Sequence, residues 1–89
     1  MPILESPSAL ADDKREKIAT LANNVVLDLL ALKSVAHTAH VNIRGENFGS
    51  LHAQFGSVYE AAEAHADTLA EFVGMLGVAC KMDVFDIAS

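Results

Sequence analysis

Cysteine is nearly absent from this chain. Cys80 stands alone among 89 residues, so no disulfide can form within one copy. An isolated thiol suits a reducing compartment, and the expected location is the cytoplasm. Proline is confined to Pro2 and Pro7, and no Pro/Gly-rich linker or repeat divides the chain, so residues 1–89 read as a single domain. Positive charge is scarce. Six Lys and Arg face twelve Asp and Glu, for a formal net charge of −6, which argues against a dominant nucleic-acid surface because phosphate binding needs clustered cations. The one basic cluster, Lys14, Arg15 and Lys17, is interleaved with Asp12, Asp13 and Glu16 and reads as a solvated helix start. Residues 1–13 hold no Lys or Arg, so strong DNA binding is not expected. The opening Met1-Pro2-Ile3-Leu4-Glu5 lacks the basic and apolar regions of a secretory signal. The longest apolar run, Val25 to Val35, is broken by Asp28 and Lys33, so no membrane span is expected from it.

Hydrophobic residues make up 52% of the chain and are spread along its length, which excludes a disordered chain. Residues 1–13 form a tail and helix start, with Ser6-Pro7 as one N-cap and Asp12 or Asp13 as alternatives. Ile18, Leu21, Ala22, Val25, Leu29, Leu32 and Ala36 then follow the three-or-four spacing of a helix face up to about Asn42, and Val26, Leu27 and Leu30 widen it. Gly45 is the first strong breaker, in the left-handed position that ends a helix, and Asn47 fits the next N-cap. A second helix runs from about Phe48 to Leu76, with Leu51, Phe55, Val58, Ala62, Leu69, Phe72, Val73 and Leu76 on its apolar face and Gly77 at its end. The remaining segment, 78–89, ends in a short helix capped by Asp83. The predicted fold is all-α: an antiparallel two-helix hairpin, each helix about 45 Å long. Two helices cannot cover two wide apolar belts. The hairpin is therefore expected to be half of a four-helix bundle, completed by oligomerisation or by further helices.

Three of the four histidines, His37, His40 and His52, bracket the turn. Along the second helix His52, Gly56, Glu60, Glu63, Asp67 and Glu71 keep a three-or-four rhythm. Such a polar stripe ordinarily faces water. Asp67 and Glu71, however, are carboxylates one turn apart that repel each other unless a cation or hydrogen bonds compensate. Imidazole with carboxylate suits iron(II), and zinc or manganese also fit. His52 and Glu71 are 19 residues apart on one helix, a separation of nearly 30 Å at the helical rise. A metal site built from both must lie between subunits. No serine- or cysteine-based nucleophile motif is evident, Cys80 reads as a core or incidental residue, and His37 and His65 read as surface or interface residues.

The stretch "AHTAHVNIRGENFGSLHAQF", followed by "HADTLAEFVGMLG" and preceded by "LANNVVLDLLALKSVAH", resembles the N-terminal half of the Dps-type miniferritins, a branch of the ferritin-like superfamily. The resemblance runs from about Ile18 to Gly77. It implies a four-helix-bundle subunit in a hollow homo-oligomer, with a ferroxidase centre between two subunits that oxidises and stores iron as a defence against oxidative stress. Carried over position by position, His40 and His52 match the two histidine ligands, and Asp67 and Glu71 match the carboxylates supplied across the interface. These four residues serve as both metal ligands and catalytic groups. His37 matches a position that is not a principal ligand, and 78–89 resembles the short segment between the second and third long helices.

Several positions depart from the family pattern. Gly56 stands where the family has an aspartate, Val41 where a tryptophan follows the first histidine, and Phe72 where arginine follows the glutamate. Glu60 or Glu63 would have to replace the lost carboxylate. The expected function is that of a Dps-like iron-binding protein with a ferroxidase-type interface site. The alternative is a catalytically silent structural or assembly module that kept the hairpin.

Overall fold

The computed structural model describes residues 11–88. It contains helix α1 (Asp12–Asn42), helix α2 (Phe48–Met75) and the short helix α3 (Val84–Ala88), with no strand among the described residues. The two long helices pack against each other along their length as an antiparallel hairpin measuring 55 × 23 × 14 Å, and α3 folds back onto α1. The all-α hairpin expected from the periodicity is the architecture observed.

The seam between the helices is built from small residues. Ala19, Val26 and Ala36 of α1 meet Gly56, Ala62, Ala66 and Val73 of α2, all buried. About half of the larger apolar side chains among the described residues face outward: Leu21 and Val35 are each 68% exposed and Met75 is 73% exposed, with Ile18, Val25, Leu32, Phe48, Val58 and Phe72 also exposed. An 18-residue stretch within α1, with a mean hydropathy of 1.4, is also long and apolar enough to cross a membrane by length and composition alone, which the broken Val25–Val35 run did not suggest. The core helix of a helical bundle has the same length and composition.

The ends of the helices correct several local expectations. Ser6-Pro7 lies outside the described residues. Ala11 occupies the N-cap of α1 and Asn47 that of α2, and neither side chain caps its helix. Arg15, expected in solvent, is buried. It pairs with Asp12 and donates to the Leu76 carbonyl at 3.3 Å, so its cation sits at the C-terminus of α2, where the helix dipole favours it. Gly45 does adopt a left-handed φ of 100°, but within the turn, because α1 already ends at an extended Ile43.

The end of α2 matches expectation closely. Gly77 has φ 81°, its N–H reaches Gly74 O at 2.9 Å, and Val78 N–H reaches Val73 O at 3.4 Å. This is a Schellman closure, and its apolar contact is the buried cluster of Ala19, Val73, Leu76 and Val78. From there Asn23 clamps the outgoing chain. Its Nδ2 donates to Lys81 O at 2.7 Å and its Oδ1 accepts from Lys81 N–H at 2.9 Å. Asp83 then caps α3 as expected, with Oδ1 accepting from Phe85 N–H at 2.9 Å and Asp86 N–H at 3.2 Å.

Candidate metal centre

The helix register sets His37 beside Tyr59, His40 beside Gly56 and Lys33 beside Glu63. At the turn end His40 and His52 stack face to face, with ring centroids 3.6 Å apart and planes tilted by 23°. Each ring reaches across to the other residue's backbone: His40 Nδ1 lies 2.5 Å from His52 O, and His52 Nδ1 lies 2.8 Å from His40 O. A carbonyl oxygen only accepts, so each Nδ1 carries the proton. In the neutral rings each Nε2 is left with its lone pair. A metal-binding histidine has this same division of labour, with one nitrogen held by a backbone acceptor and the other presented to the cation.

The pair sits in a run of rings. Phe48 stacks on His52 at 4.9 Å, Tyr59 meets His40 edge-on at 5.3 Å, and His37 stacks on Tyr59 at 4.3 Å. Tyr59 and Phe48 were not singled out from the sequence as neighbours of the histidines. The signal was available: Tyr59 lies seven residues after His52, two helical turns along the same face. His40 and His52 are half-buried, whereas His37 and His65 are exposed.

The carboxylates lie elsewhere. Asp67 and Glu71 are exposed on α2, at about 22 and 28 Å of helical rise from His52. Asp67 lines an open groove with Lys33, His37, Glu63 and, from α3, Val84 and Ile87. Glu60 and Glu63 do not replace the missing carboxylate beside the histidines. Both are exposed, and Glu63 pairs with Lys33 at 3.3 Å. Among the described residues, no three His, Cys, Asp or Glu side chains gather closely enough to hold a metal ion. One chain therefore brings together His40 and His52 and leaves Asp67 and Glu71 apart from them. Cys80 is half-buried against the Ala19–Val78 cluster, and desolvation raises its thiol pKa above the ordinary value.

Residues 19–88 match the family model of the ferritin-like domain, and the chain belongs to that family. It is similar to the DNA protection during starvation protein of Brevibacillus brevis, with 38% identity over 63 residues that cover 71% of this chain and 42% of that protein. The chain thus spans less than half the length of the curated relative it matches, and the Dps-type character read from its histidine and glycine spacing stands.

Proposed function

We propose that this chain is a Dps-like iron-binding protein. In this reading His40 and His52 of one subunit meet Asp67 and Glu71 of another to form a ferroxidase-type site. The observation that carries the reading is the reciprocal Nδ1–carbonyl pair, because it fixes both imidazoles in the tautomer that offers Nε2 to a cation. Iron(II) is the substrate. Two neutral nitrogens with two carboxylate oxygens suit it, and the carboxylate charge favours its oxidised product. Zinc or manganese can take the same donors. The long intrachain separation and the outward-facing large apolar residues support a homo-oligomer that brings the two halves together. The family's cytoplasmic setting extends to this chain, and its net charge of −6 supports at most weak, salt-sensitive DNA binding.

One observation favours the second reading, a silent assembly module: among the described residues, no carboxylate of the same chain stands beside the histidine pair. Native mass measurement with anaerobic iron(II) separates the two. A defined oligomer that takes up stoichiometric iron(II), with uptake lost in His52→Ala, supports the interface site. A defined oligomer that takes up none leaves the structural module.

A further inference from the structure

The contact between Gly56 and His40 deepens this reading and rests on it. Gly56 is buried in the middle of α2, where a glycine weakens a helix relative to alanine. The left-handed backbone that would justify one is absent, since positive φ occurs only at Gly45 and Gly77 among the described residues. The space above it explains the residue. A Cβ built on Gly56 would lie 3.1 Å from His40 Cε1 and 3.2 Å from His40 Nδ1, tighter than ordinary van der Waals contact. The His40 ring has little room to yield. Its Nδ1 is bonded to His52 O, and it is stacked on the His52 ring and flanked by Tyr59. Gly49 and Gly74 of the same helix have nothing within 4 Å of such a Cβ, so close approach is particular to position 56.

We propose that Gly56 is a positioning residue. By carrying no side chain it lets the His40 imidazole lie flat on α2 in reciprocal register with His52, and it confines this chain's half of the site to two nitrogen donors. With the two carboxylates of the other subunit, the completed site would hold two nitrogen and two oxygen donors, a set that suits iron(II), cobalt(II) or zinc(II) better than a hard cation such as magnesium(II).

The test compares wild type, Gly56→Ala and Gly49→Ala, each as the full chain. In metal-free protein, long-range ¹⁵N imidazole spectra report the tautomers. Two Nδ1–H rings are expected in wild type and Gly49→Ala, and His40 loses this signature in Gly56→Ala. Cobalt(II), followed by its visible ligand-field bands, is expected to bind Gly56→Ala about tenfold to a hundredfold more weakly, as for other changes that misorient a metal-binding histidine. Gly49→Ala is expected to match wild type. Unchanged tautomers and unchanged cobalt affinity in Gly56→Ala would overturn the proposal. If Gly56→Ala unfolds, the double variant Gly56→Ala/His40→Ala is expected to refold, because the ring that collides is gone. A double variant that stays unfolded would overturn it too. Wild type that binds no cobalt, or whose binding survives His52→Ala, contradicts the interface-site reading itself. The metal-free spectra still decide the role of Gly56 in that case.

Discussion

Replacing Asn23 by alanine is expected to loosen the C-terminal segment from the hairpin. Asn23 is buried and makes two hydrogen bonds to the backbone of Lys81, one as donor and one as acceptor. These bonds tie the chain leaving α2 to the middle of α1 and so hold α3 over the groove that Asp67 lines. An intramolecular hydrogen bond contributes about 0.5–1.5 kcal/mol net, so two are worth about 1–3 kcal/mol. Lys81 is exposed, and water can rehydrate its N–H and carbonyl once the amide is gone. No buried group is left unsatisfied, which places the expected loss in the lower half of that range, about 1–2 kcal/mol. Asn23→Asp should cost more, since it keeps the acceptor for Lys81 N–H but sets a carboxylate oxygen against the Lys81 carbonyl. Urea unfolding at fixed protein concentration measures the loss, and hydrogen exchange at the Lys81 amide locates it. An Asn23→Ala variant within 0.5 kcal/mol of wild type, with Lys81 still protected, would refute the clamp.

Other consequences are equally open to measurement. Gly77→Ala should cost about 1–2 kcal/mol in urea unfolding, because φ is 81° there and a Cβ disfavours that backbone; Gly77→Asn should cost less. Gly49→Ala, on an exposed helical position with open space, should instead stabilise by about 0.5–1 kcal/mol. The raised pKa of Cys80 means that the folded state holds its proton to higher pH than the unfolded chain. Its effect on stability is therefore nil at neutral pH and becomes a loss as pH rises through the ordinary thiol range. Alkylation followed across pH should show thiolate reactivity rising at higher pH in folded than in unfolded protein, and coincident profiles would contradict the burial argument.

Much of the architecture was legible because it rests on long, strongly periodic signals. Gly77 and Asp83 act as a helix end and a cap, as their residue types suggest, and Gly45 has the expected left-handed φ but in the turn rather than at the helix end. The separation of the histidines from Asp67 and Glu71 followed from helical rise alone. What was not legible depends on neighbours distant in sequence. Arg15 sits among acidic residues in the sequence yet is buried against the end of α2, 61 residues away. Asn23 carries no signal of its own in the sequence and is a clamp, because its partner is Lys81. Asn47 has the right residue type for a cap, but its φ and ψ of −93° and 15° depart from the extended backbone usual at that position. Gly56 read only as a lost carboxylate. The structure adds that a side chain there would meet the His40 ring.

The central claim is that the histidines of one subunit and the carboxylates of another share one site, and subunit mixing tests it most directly. His40→Ala/His52→Ala chains and Asp67→Ala/Glu71→Ala chains should each fail to bind iron(II) alone. Refolded together in equal amounts, with a two-fold interface, half the pairs would be mixed, and each mixed pair would hold one intact site of two, so about one quarter of wild-type binding should return. No recovery on mixing, from chains shown to co-assemble, would contradict the interface site.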